Sequence, residues 1–271
     1  MRPAAEEGDD GMIPHTNIEA LRKKYASDNF LAFSADIDWA SDACIEKQLG
    51  FFLARGVPMT VFCTHASAAI DRLRGDARVE LGIHPNFSAG SSQGATLDEV
   101  LDTCFGLVPG ARCMRGHRWY SSNDVSDRLV ERGVLFDSNE CSMLDPVAPY
   151  IHRSGLLRIP VYFEDGGFLW NGAEVNFRTN GRRYFDTPGL KVLDLHPIHF
   201  ALNCPSNEFY RTVADTTPRA VYSAMDDDAI AARAWRGYGM RDYLTELMDF
   251  AAAAHVNVVS LGQVYDELRR E

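Results

Sequence analysis

Asp36 and Asp38 stand two residues apart at the end of the apolar run "FLAFSAD" (30–36). On an extended backbone they point the same way, while Ile37 packs oppositely. Two carboxylates side by side repel. A divalent cation relieves that repulsion, leaving one carboxylate to bind it and the other to act as a base. Asp38 alone would serve equally as a helix cap; Asp36 behind it would not. His84 ends a second run, "VELGIH" (79–84), and the proline after it keeps the residue extended, so that its ring projects from the strand end. A lone strand-end histidine is more often structural than a ligand. Beside Asp38 it becomes a ligand candidate, and histidine with carboxylate suits zinc or a similar first-row ion with one position open for water. His196 closes "KVLDLH" (191–196) and is placed to give the proton that a departing amine needs in amide hydrolysis. His199 reads either as a substrate contact or as a loop residue. Other strand ends carry Arg115, His117, Asp137 and Asn139.

The elements that must position these groups are short apolar runs alternating with helical stretches. The strand-length runs are 30–36, 59–63, 79–84, 111–115, 134–138, 157–163, 191–196 and 256–260, continuous enough to be covered on both faces. A helix is expected near Ile18 to Ala26. Ser41 or Asp42 can cap a helix that Gly56 stops, and Ser122 or Asn123 one that Gly133 stops. Strand then helix, repeated seven or eight times, points to a parallel α/β barrel, complete or distorted, whose strand C-termini converge on one functional face. Two stretches, 164–189 and 215–240, break the alternation and are expected as long loops at that rim. Residues 1–28 read as an N-terminal arm and helix, and 29–271 as a single barrel domain.

The totals narrow the partners. A chain of 271 residues with 46 % hydrophobic content can bury one sizeable core. A formal charge of −11 and no Lys/Arg cluster speak against nucleic acid or an anionic membrane, leaving a neutral or small substrate, a small molecule or an oligosaccharide, as the expectation. The start "MRPAAEEGDDGM" lacks the apolar stretch of a secretory signal. The six cysteines form no CxxC pair. A cytoplasmic, reduced protein is the reading.

The order of the pieces then becomes specific. An aspartate pair after the first strand, a G-x-H strand end after the third, an arginine-bearing strand end next and a late LxLH together resemble the NodB-like polysaccharide deacetylases, the fourth family of carbohydrate esterases, over roughly Phe30 to Leu268. "GIHPNF", "RGH" and "HPIHFALN" resemble a divergent branch of it, the WbmS type, encoded with surface-polysaccharide biosynthesis genes. The resemblance implies a distorted (β/α)₇ barrel and a divalent metal, zinc first, with Co²⁺, Ni²⁺ or Mn²⁺ as alternatives. It implies Asp36 as catalytic base, Asp38 and His84 as metal ligands, Arg115 as the residue orienting the base, Leu195 as lining of the acetyl pocket and His196 as general acid. The family's second metal histidine should lie four residues after His84, where Ser88 stands. Asn86, Ser88 or His117 could replace it, and His117 is preferred because imidazole binds such ions better than an amide or hydroxyl.

The expected activity is metal-dependent removal of an N-acetyl group from an amino-sugar unit, with Asp137 helping to fix the geometry. One alternative is a barrel that binds a carbohydrate without catalysis, gripping it with Phe168, Trp170 and Phe177. The other is a metal-dependent hydrolase of another linear amide.

Overall fold

The computed structural model describes residues 15–268; the acidic stretch 1–12 lies outside them. Ten strands form one curled sheet: β1 (Asn29–Asp36), β2 (Met59–Cys63), β3 (Val79–Ile83), β4 (Cys113–Met114), β5 (Phe136–Asp137), β6 (Tyr150–Ile151), β7 (Leu157–Arg158), β8 (Val161–Glu164), β9 (Gly189–Leu195) and β10 (Asn257–Val259). Their order is β6-β7-β5-β4-β3-β2-β1-β9-β8, with β10 pairing the start of β1. Every pairing is parallel except β6 with β7.

The curl closes through a single bridge between Cys141, just beyond β5, and Val161 of β8. Counted around that ring, β1 to β5, β8 and β9 are the seven staves of a distorted (β/α)₇ barrel. The expected strand 157–163 is two strands, because Pro160 has no N–H to continue a ladder. The start of β1 pairs with β10 and its end with β2.

Period-two alternation sorts the side chains. In β1, Phe30, Ala32, Ser34 and Asp36 face inward, and Leu31, Phe33 and Ala35, with Ile37 just beyond the strand, face the helices. The inner core is apolar at the strand N-terminal end, where the helices His15–Ser27 and Leu261–Glu267 close the bottom with Ile18, Leu21, Tyr25, Val264 and Tyr265. Each such side chain, fully buried, contributes about 1.5–3 kcal/mol. Toward the strand C-termini the interior turns polar, with Ser34, Asp36, Arg115, Ser138 and Asp194 all buried. Ser41 caps the helix Asp42–Leu53 through the Cys44 N–H, and Ser122 caps Asn123–Glu131. Gly56 and Gly133 stop the following turns at positive φ, 73° and 85°.

The two stretches expected as loops are largely helical. The first holds the helices Asp165–Trp170 and Phe177–Phe185, the second Arg219–Tyr222 and Asp227–Arg233. In the first, aromatic residues explain the difference: Phe168, Phe177 and Phe185 pack with Phe163 and Tyr243 in the helix-facing core. Among the described residues no helix is long and apolar enough to cross a membrane.

Candidate active site

At the C-terminal end of the strands lies a cavity of about 710 Å³ lined by Asp36, Asp38, His84, His117, Glu164, Asp194, His196 and His199, among others. Ladder hydrogen bonds run past the strand ends and hold its walls: the His84 N–H donates to Cys63 O, the Arg115 N–H to Ile83 O, and the His117 N–H to Pro85 O. β1 ends at Asp36, so Asp38 is not on the extended backbone the sequence suggested. It occupies a left-handed turn with Trp39 (φ 37° and 55°), anchored where the Trp39 N–H donates to Thr64 Oγ1. A second left-handed turn, Arg118 and Trp119 (φ 57° and 59°), follows His117. Such conformations cost about 1–3 kcal/mol each at non-glycine residues, and both flank candidate ligands. Gly116 makes the second turn feasible, because a Cβ there would lie 2.6 Å from Tyr120 O. Asn139 ties the same turn down, accepting from the Gly116 N–H and donating to Tyr120 O.

Asp38 Oδ1 lies 3.2 Å from His84 Nε2 and 3.1 Å from His117 Nδ1. Tetrahedral bonds of 2.0–2.1 Å place neighbouring ligand atoms about 3.3 Å apart, so these three side chains fit a small divalent ion, and their donor atoms all lie within 4.8 Å of one another. Burial pushes the Asp38 carboxyl up, but hydrogen bonds and charge from His117 and His84 outweigh it and hold it well below the usual range. Asn86 and Ser88, the other candidates for third ligand, do not line the cavity. The Asn86 side chain instead accepts from the Ser88 N–H, closing its own turn.

Beside this trio sits Asp36, 3.5 Å from His84 Nε2. Arg115, fully buried, donates from Nη1 to Asp36 Oδ1 at 2.9 Å and lies 2.8 Å from Asp194 Oδ1. Its remaining N–H groups reach Ser34 Oγ, Ser138 Oγ and Ser138 O, and its guanidinium covers the Phe62 ring at 4.4 Å. A guanidinium with its donors used in this way cannot swing away from Asp36. One arginine does not neutralise two carboxylates, and burial pushes Asp194 well up, Arg115 offsetting this only in part.

His196 also borders the trio, its Nε2 lying 3.6 Å from Asp38 Oδ2. Its Nδ1 contacts Asp165 Oδ1 at 2.6 Å, and its backbone N–H donates to Asp165 Oδ2 at 2.9 Å. Burial pushes the imidazole pKa down, yet the Asp165 charge and hydrogen bond carry it well above its ordinary value. Charge and hydrogen bonding from His199 and His196 press Asp165 down against its burial. The Asp165 carboxylate thus favours the protonated form of His196. His199 Nδ1 lies 3.0 Å from the same Asp165 oxygen, and its ring meets Tyr210 edge-on at 4.6 Å. The Asp165–His196–His199 cluster could also be read as a metal site, but its 2.6 Å contact between His196 Nδ1 and Asp165 Oδ1 is shorter than the spacing of about 3.3 Å between neighbouring ligands of a tetrahedral ion.

The remaining sequence candidates lie elsewhere. Asp137 is bound by Arg158 at 2.9 Å from both Nε and Nη2, away from the cavity. Leu195 faces the helix layer with Leu193 and does not line the cavity. Trp170 is 74 % exposed outside it, and Phe168 and Phe177 are in the core. Asp165, Glu164 and Asp194 were not singled out from the sequence. Asp165 and Glu164 lie at the end of the run 157–163, and Asp194 alternates with Leu193 and Leu195, so it had to face inward.

The sequence profile of the WbmS-like polysaccharide deacetylases matches residues 33–214, from β1 through the histidines to the helix Asn207–Thr216. The chain belongs to that family. This WbmS-like chain is also similar in structure to WbmS of Bordetella bronchiseptica, assigned as a polysaccharide deacetylase involved in O-antigen biosynthesis. The two are 26 % identical, with a TM-score of 0.72 over 81 % of this chain and 90 % of that one. A protein of Mycobacterium smegmatis assigned as a polysaccharide deacetylase gives 16 % identity and a TM-score of 0.45, over 96 % of this chain and 98 % of that one. A Streptococcus mutans CE4 esterase gives 11 % identity and 0.38, over 90 % of each chain. No curated protein matches.

Proposed function

We propose that the chain hydrolyses an N-acetyl group on an amino-sugar unit, with a divalent ion held by Asp38, His84 and His117. The observation that carries this reading is a three-residue His/Asp cluster in a single cavity, with the Asp36 carboxylate 3.5 Å from His84 and the His196 imidazole 3.6 Å from Asp38. Zinc or a related ion bound there would act as a Lewis acid, polarising the amide carbonyl and making water a stronger acid.

The chain's own residues supply the rest. Asp36 takes the proton of the attacking water, and Arg115 fixes the direction of its carboxylate. His196 enters the reaction protonated and delivers its proton to the departing nitrogen. Asp165 holds the ring through Nδ1, so that Nε2 is the atom presented to the cavity. His199 backs the same carboxylate. Such an array suits an amide, whose amine leaves poorly unless protonated, and family membership supports the acetyl group as the acyl part.

The test is acetate release from a panel of N-acetylated amino sugars. Wild-type protein is expected to turn over at least one of them, and His196→Ala to lose about 10²–10⁴-fold in rate. Equal rates in the two proteins would remove His196 from the scheme.

A further inference from the structure

The charge around the cavity is segregated. Its floor carries the carboxylates Asp36, Asp38, Glu164 and Asp194, whereas its exposed rim carries Arg118, Arg211 and Arg219. Arg211 is paired with Asp215 at 2.7 Å. No described carboxylate lies within ion-pair distance of Arg118 or Arg219, although most other arginines of this acidic chain have such a partner. The two reach the cavity from opposite parts of the sequence. Arg118 follows the candidate ligand His117 in the left-handed turn, and Arg219 opens the helix Arg219–Tyr222.

Arg219 is also held in place. Its guanidinium carbon lies 4.9 Å from the Trp39 ring centre, and Trp39 in turn meets the His117 ring edge-on at 5.3 Å. The two contacts in series put this cation within about 10 Å of a candidate metal ligand. A guanidinium fork matches the planar or triangular oxygen faces of carboxylate and phosphate. The net charge of −11 does not cancel it, because exposed charges farther than about 8 Å are largely screened at physiological ionic strength.

Resting on the deacetylase reading, we propose that Arg118 and Arg219 form an anion subsite, and that the substrate is an N-acyl amino sugar carrying a phosphate or carboxylate beside the reacting amide. The expectation of a neutral substrate came from the absence of any basic cluster in the sequence. Here the fold brings positions 118 and 219 to the lining of one cavity.

The test measures affinities of the intact protein by calorimetry for three probes: N-acetylglucosamine, N-acetylglucosamine 1-phosphate and N-acetylglucosaminuronic acid. Wild type is expected to bind one of the anionic probes at least about tenfold more tightly than the neutral sugar, the scale of one charge-assisted hydrogen-bond pair. Whichever anion is preferred identifies the oxygen group. In Arg118→Gln and in Arg219→Gln that preference should fall about tenfold, and in the control Arg22→Gln, an exposed arginine on the first helix, it should persist. Equal binding of all three probes by wild type, or a preference retained in both cavity variants, would overturn the proposal. Because binding is read without turnover, an anion preference without acetate release would leave the subsite standing and count against the deacetylase reading alone.

Discussion

Replacing Asp165 by asparagine removes one negative charge with little change of shape. In the parent, that charge decides the state of His196: burial alone favours neutral imidazole, and the carboxylate 2.6 Å from Nδ1 reverses the balance. Without it the imidazole pKa falls, and less of the ring carries a proton to deliver at neutral pH. Loss of a general acid costs about 10²–10⁴-fold in rate, or about 3–5 kcal/mol of barrier. The fold should lose less, about 1.5–3 kcal/mol, because the asparagine oxygen can still accept from the His196 backbone N–H. The assay compares two substrates, an N-acetylated amino sugar and an activated aryl acetate whose phenolate leaves without a proton. Asp165→Asn should depress amide hydrolysis by the full factor and ester hydrolysis far less, with thermal denaturation confirming a folded protein. Equal losses on both substrates would refute the reasoning, since they would mean that Asp165 supports the site as a whole and not proton delivery.

Three further outcomes follow from packing and titration. Gly82→Ala should lower stability by about 1–3 kcal/mol in chemical denaturation, because its Cβ would meet Phe62 Cδ1 and Cys113 Sγ, both at 2.7 Å. Cys104 is pushed up to about 12 by burial, so the folded chain keeps a proton that the unfolded chain releases, and its contribution is lost as pH rises from about 9. Between pH 9 and 10 that is about 1 kcal/mol, so Cys104→Ala should show a shallower alkaline loss of stability than the parent by that amount. Trp170→Ala should leave the affinity for N-acetylated sugars at its wild-type value, because this ring stands outside the cavity.

Much of the site was legible because strand ends carry their own signal. Asp36, His84, Arg115 and His196 each close an apolar run, and in a parallel barrel all such ends meet at one face. His117 was reachable by ligand chemistry. Asp165 was not, because Gly166 and Gly167 look like breakers and made a helix start read as a loop. In the folded chain both lie in the helix Asp165–Trp170, with the Glu164 carboxylate against them. Asp137 misled for the opposite reason: it too ends a strand run, but Arg158, on the adjacent strand β7, takes up its carboxylate. The arginine rim was invisible, since nothing local brings positions 118 and 219 together.

The most direct test of the central claim is metal stoichiometry by elemental analysis, on the parent and on Asp38→Ala and His117→Ala. The parent is expected to hold one divalent ion per chain. Each variant should lose affinity beyond the roughly 10–100-fold that removal of an outer-shell partner costs. A parent that deacetylates at full rate after chelation, or variants that keep their ion with undiminished affinity, would contradict the account.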